Sequence, residues 1–337
     1  MTTIRELARR SGVSVATVSR VLNTPEVVSP DTRERVLRIA AETGYMRNES
    51  ARTLATKKSN LIGLVWDTDH RQPGWRHPFF QEILVALKSA LSSHGLHLLM
   101  LANPSDADDG MRDQHIRAVR RHNLDGVVLI DNGSHDPALL ALAEDAVPCV
   151  SIDLAVAGPG TTYVTSDNEG GARAAARHLI ERGHRRIATI AGPQRTAPGQ
   201  QRLTGFRAEL DANGIALPEE YVVGGDFYFD SGFTCMQRLL ALPDPPTAVF
   251  AAGDAMAVGA LRAAAAGGLR IPEDVALVGF DDIDLAALVQ PALTTVAQDK
   301  PGFGTAAADA LLAMLAGDPA PAAPIILPTH LVVRGTT

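Results

Sequence analysis

The sequence predicts a small all-α head, built on a helix-turn-helix, joined to an α/β two-lobed body of parallel sheets flanked by helices. Three observations carry this expectation. Short capped helices fill the first 45 residues, and from residue 61 apolar runs alternate with helical stretches. Charge divides at the same place. Residues 1–60 hold eleven Lys/Arg against six Asp/Glu, a net of +5. The other 277 residues hold 20 against 32, a net of −12. A basic head on an acidic body points to a polyanion met by the head alone, or to a merely charged surface.

The head reads as three helices. Thr3 and Glu6 fit a capping box opening "IRELARRS", which Gly12 ends. Ser14 caps a second helix through Leu22, and Pro30 opens a third that closes before Gly44. On the second helix Val18, Val21 and Leu22 share one face and should pack on the first helix. Ala16, Ser19 and Arg20 lie opposite, with Thr17 on the flank and Val15 beside the buried face. Small residues with one Arg suit a helix lying in the major groove, and Thr17 and Ser19 hydroxyls suit phosphates. Residues 46–60 are polar, a linker with a marginal helical turn.

In the body, "LIGLVW", "LHLLMLA", "DGVVLI", "PCVSI", "RRIATIAG", "YVVGG", "PTAVFAAG" and "VALVGF" read as strands buried on both faces. Eight such units exceed one doubly wound sheet, and "AVAGPGTTY" divides them into two lobes. Asp67, Asp131, Asp153, Asp226, Asp254 and Asp281 each stand at or just beyond an apolar run. Either they cap the following helices, or their repetition lines a cleft at the carboxyl ends of the strands. Carboxylates there would accept hydrogen bonds from a polyol or sugar.

Several functions are disfavoured. No apolar run reaches membrane-spanning length, and "MTTIRELARRSGVS" lacks a signal peptide's apolar core, so a cytoplasmic protein is expected. Two cysteines, Cys149 and Cys235, offer neither a disulfide framework nor a zinc cluster. No nucleophile elbow, phosphate loop or dinucleotide fingerprint appears, so neither an enzyme, a cofactor nor a metal is expected.

"TIRELARRSGVSVATVSRVLN", "VSPDTRERVLRIAAETGY", "HPFFQEIL", "SDNEGGARAAARHLIERGHRRIATIAGP", "RLTGFRAEL", "VALVGFDD", "PALTTVAQD" and "ILPTHLVVRG" together resemble the lactose-repressor/galactose-repressor (LacI) family of bacterial transcription regulators. The resemblance spans essentially the whole chain. It implies a DNA-binding head at 1–46, a hinge helix and linker at 47–60, an N-terminal lobe at 61–161 and 293–322, and a C-terminal lobe at 162–292 and 323–337. It implies that Val15, Ala16 and Arg20 read bases, against the wheel's placement of Val15, with Thr3, Ser14, Thr17, Ser19 and Asn23 completing the DNA-facing set. In the hinge it assigns Arg52, Leu54 and Ala55, with Leu54 as an apolar wedge in the minor groove. Leu54 packing on the body is the alternative. Two such hinges imply a homodimer on near-palindromic double-stranded operator DNA. "VVRGTT" carries no leucine heptad, so no tetramerising coiled coil is expected.

For the cleft the resemblance implies Phe79, Phe80, Asp153, Arg202, Phe227, Asp281 and Gln298 as effector-binding residues. Trp75 and Asp254 join them from segments that depart from the family pattern. "DTDHRQPGWR" is long and brings Trp75 to the mouth as a stacking platform or part of a lid, and Gly253-Asp254 replaces a common Asn-Asp. His77 stands where many members have Asn. Phe227 could instead fill the core, and Arg202 could hold an acidic guest. The expected function is a repressor of carbohydrate-utilisation genes answering to a small sugar. A solute-binding protein without DNA binding and a corepressed regulator with a non-sugar effector are the alternatives.

Overall fold

The computed structural model describes residues 2–45, 58–66, 77–101, 113–130, 137–145, 147–156 and 158–337, without the side chains of Asn23 and Pro137. The chain forms two compact units, Met1–Ser59 and Asn60–Thr337.

The first unit holds helices α1 (Ile4–Ser11), α2 (Val15–Asn23) and α3 (Pro30–Glu42). Thr3 Oγ1 caps α1 by accepting from the Glu6 amide at 3.3 Å, and Gly12 closes it at φ +65°, a conformation open to Gly at little steric cost. The capping box is only half formed. The Glu6 carboxylate turns to Arg9 and Arg10, at 2.6 and 2.8 Å, and these bonds pull its pKa down to about 2. Ser14 Oγ caps α2 through the Thr17 amide at 3.0 Å. Leu7, Ala8, Val18, Val21 and Val36 form the buried core, with Leu22 packed at its edge.

The second unit contains two six-stranded sheets. The first runs in the order β11 (Ile325–Leu327), β5 (Thr161–Ser166), β4 (Cys149–Ile152), β3 (Gly126–Ile130), β1 (Leu61–Trp66), β2 (His97–Leu101). The second runs β12 (Thr329–Val332), β10 (Thr294–Gln298), β9 (Ala276–Asp281), β8 (Ala248–Ala251), β6 (Ile187–Ala191), β7 (Val222–Gly224). Every pairing is parallel except β10 with β12. Helices α4 (Pro78–Ser93), α5 (Gln114–His122), α6 (Pro137–Glu144) and α12 (Lys300–Ala316) accompany the first sheet. Helices α7 (Asn168–Glu181), α8 (Ala197–Ala212), α9 (Phe229–Leu240) and α10 (Asp254–Ala266) accompany the second, while α11 (Asp284–Leu288) puts Ala286 in the second core and Leu285 against the first. No helix among the described residues is long and apolar enough to cross a membrane.

The eight apolar runs are the strands β1–β4 and β6–β9. The apolar pattern did not reveal β5 and β10, "TTYVTS" and "TTVAQ", where β-branched Thr replaces aliphatic residues. These two strands, together with β11, also move the lobe boundaries. The chain leaves the first sheet after Ser166, leaves the second after Gln298, and passes from β11 to β12 after Leu327. Boundaries at 161/162, 292/293 and 322/323 would each cut or misassign a strand, because each strand stays with the sheet that satisfies its backbone.

Candidate functional site

In each lobe the parallel strands end on the same side, and their following loops converge on a cleft of about 660 Å³, its open mouth included. The start of α4 supplies His77, Phe79 and Phe80 from the first lobe, and the turn after β4 supplies Asp153. The second lobe answers with Pro193, Arg195, Thr196, Pro198 and Arg202 from the β6–α8 connection and α8. Asp226, Phe227 and Tyr228 come from the β7–α9 loop, and Asp281 from the end of β9.

Arg202 organises the floor. Only 3% exposed, it donates from Nε to Asn168 Oδ1 at 2.8 Å and from Nη1 to the Ala252 carbonyl at 2.7 Å. Asp281 Oδ1 lies 3.3 Å from Nη1 and accepts from Gln298 Nε2 at 2.7 Å. The guanidinium lies over the Phe280 ring, 3.8 Å from its centroid. Burial lowers the Arg202 pKa, and the carboxylates of Asp281 and Asp153 work against that shift. Burial raises the Asp153 carboxyl to about 6, despite a 2.7 Å hydrogen bond from Thr165 Oγ1.

The rim is conformationally strained. Asp153 (φ +55°), Phe227 (+73°) and Asp281 (+121°) all occupy the left-handed region that non-Gly residues rarely adopt. His77 spans the lobes, its Nε2 3.1 Å from the Phe227 carbonyl and its ring edge-on to Phe80 and Tyr228. Burial lowers its pKa and favours the neutral ring. The Gly253 departure also acquires a reason. A Cβ there would stand 3.2 Å from the Phe227 ring, so the missing side chain makes room for Phe227.

Of the residues expected at the effector, Phe79, Phe80, Asp153, Arg202, Phe227 and Asp281 come together in the cleft. Gln298 stands behind Asp281 and holds it. Asp254 is a correction. It does not line the cleft but is fully buried behind the floor, accepting from Thr295 Oγ1 at 2.6 Å and from the Ile283 amide at 3.0 Å. Trp75 lies outside the described residues, as do Arg52, Leu54 and Ala55. Sequence reasoning did not place Pro193, Arg195, Thr196, Pro198 and Tyr228 at the site. Their position just after β6 and β7, up to the first turn of α8, was the available signal.

On the head, Val15 is 42% exposed, and Ala16 and Arg20 are exposed beside it. Thr3 and Ser14 are exposed, and Thr17 and Ser19 are half-buried. Thr17 Oγ1 and Ser14 Oγ are 2.9 Å apart within the helix cap. The side chain of Asn23 lies outside the description.

Residues 3–48 match the family model described as "Bacterial regulatory proteins, lacI family", and residues 176–337 match "Periplasmic binding protein-like domain". The regulator CelR of Thermobifida fusca is 39% identical over 98% of this chain and 97% of its own. The chain belongs to the LacI family. Among further LacI-family relatives, the ribose operon repressor of Escherichia coli K12 is 33% identical over 93% of this chain and 92% of its own. A solved CelR–cellobiose complex shares 38% identity over all of both chains at a TM-score of 0.75. The Lac repressor bound to ONPG in the repressed state shares 30% over 99% of each chain at 0.84. This LacI-family chain is therefore a bacterial transcriptional regulator with a helix-turn-helix head and a periplasmic-binding-protein-like body.

Proposed function

We propose that this chain is a homodimeric repressor of carbohydrate-utilisation genes whose operator affinity is set by a neutral sugar in the cleft. The cleft carries the reading. Phe79, Phe80 and Phe227 offer apolar faces to sugar C–H surfaces, and Asp153, Asp281 and Arg202 offer hydroxyl partners between them. Two features favour a neutral guest. Arg202 has already committed Nε and Nη1 to Asn168, Ala252 and Asp281. Among the lining residues, the carboxylates of Asp153, Asp226 and Asp281 outnumber the guanidiniums of Arg195 and Arg202. The polar groups of the floor are bonded to one another as a recognition surface, which supports a regulator over an enzyme.

On the head, exposed Val15, Ala16 and Arg20 form the base-reading row, with Thr3, Ser14, Thr17 and Ser19 toward phosphates. Operator binding places the protein in the cytoplasm with its DNA. The named relatives support the same assignment. CelR was solved with cellobiose, and the Lac repressor was solved as a dimer bound to operator and the anti-inducer ONPF. The effector shifts a population between lobe arrangements that differ in operator affinity. Isothermal titration of the full chain tests the charge assignment, using neutral saccharides and their uronate and phosphate counterparts. Neutral members should bind, and tight binding by the anionic ones alone would overturn the assignment.

A further inference from the structure

Lys300 breaks two rules of placement. It is the first residue of α12, where a cation opposes the helix dipole, and its side chain is buried at 5% exposure. Its compensation comes from the cleft. Nζ donates to the Asp282 carbonyl at 2.6 Å and the Asp281 carbonyl at 3.0 Å, and lies 3.5 Å from Glu82 Oε1. Asp281 and Asp282 are consecutive left-handed residues, φ +121° and +53°, so both carbonyls are held in a conformation the chain alone disfavours.

The lobes meet at this ammonium. Asp281 ends β9 in the second lobe. Helix α12 packs on α4 of the first lobe, so closely that a Cβ at Gly304 would strike the Ile83 backbone. Glu82 belongs to that same helix α4. Asp281 Oδ1 is taken by Gln298 and Arg202, while Oδ2 makes no hydrogen bond among the described residues.

We propose that Lys300 is a positioning residue for effector recognition, tying the left-handed Asp281–Asp282 backbone to the α4/α12 pair so that Asp281 Oδ2 is presented to the effector. The proposal rests on the reading of the cleft as a saccharide site. Lys300 does not line that cleft; it acts through Asp281, and it links the geometry of the carboxylate to the angle between the lobes.

The test compares the wild-type full chain with Lys300→Met and Lys300→Gln. Each is titrated calorimetrically with D-glucose, D-ribose and cellobiose, alongside thermal unfolding without sugar. For whichever sugar the wild type binds, Lys300→Met should weaken affinity at least tenfold. Lys300→Gln, whose uncharged amide NH2 can still donate to a carbonyl, should fall between the two. A purely structural lysine would lower the unfolding midpoint and leave the affinity of the folded protein unchanged, and that result would overturn the proposal. If Lys300→Met does not fold, Lys300→Gln decides alone, with a loss of threefold or more supporting the role and wild-type affinity contradicting it. Absence of binding to the wild type by any of the three would remove the underlying saccharide reading, and the proposal with it.

Discussion

Arg202 lies over Phe280, its Cζ 3.8 Å from the ring centroid, and the same buried cation meets Asp281 and the Ala252 carbonyl. The side chain therefore has two duties, closing the floor of the second lobe and presenting the cleft with a bonded carboxylate.

Arg202→Met separates these duties poorly, and that is informative. Removing the cation leaves Asp281 as an uncompensated buried charge, a loss of about 3–5 kcal/mol. Chemical denaturation should show this loss, and titration should show sugar binding abolished. A variant of wild-type stability would mean that Gln298 alone satisfies Asp281.

Asp153 gives the cleft a pH dependence. Its folded pKa, about 6, lies above the ordinary carboxylate value of 3.8. A raised carboxyl contributes stability below its unfolded pKa, and that contribution is lost as pH rises through about 6. Asp153→Asn should thus be more stable than the wild type at pH 7.5, with the gap closing toward pH 5. Unfolding midpoints across that range check this, and a constant gap would contradict it.

Asp254→Ala should act on stability first. It orphans the Thr295 hydroxyl and the Ile283 amide, each worth about 1–3 kcal/mol when buried without a partner. The expected measurement is a sharply reduced denaturation midpoint. A fully stable variant that fails to bind sugar would return Asp254 to the effector site.

Arg20→Ala tests the head. With Arg20 in the proposed base-reading role, its loss should remove about 1–3 kcal/mol of discrimination between operator and mismatched duplex. Equal weakening on every sequence would make Arg20 a phosphate contact instead.

Local patterns carried most of the head. The 3.6-residue spacing put Val18 and Val21 inside and Ala16 and Arg20 outside, as the structure has them. Val15 escaped the wheel because it is the first helical residue, where helical side chains lean toward the N-terminus and no preceding turn covers them. In the body, apolar continuity revealed the central strands but not Thr-rich β5 and β10, and so misplaced the crossovers. The buried partners of Asp254 were hidden for another reason. A carboxylate just past a strand reads alike whether it faces a ligand or a neighbouring loop, and its partners Thr295 and Ile283 arrive from 41 and 29 residues away. The same holds for Lys300, whose carbonyl partners are visible only once β9 and α12 are placed side by side.

The most direct test of the regulator is an operator titration of the full chain at fixed salt, using duplexes from its own and neighbouring promoters, with and without neutral sugars. Fixed salt matters because phosphate contacts dominate affinity. The expected result is tight binding to one near-palindromic duplex over scrambled DNA, with operator affinity changed at least tenfold by a neutral saccharide. Binding of all duplexes alike, or a specific complex indifferent to every sugar, would contradict it.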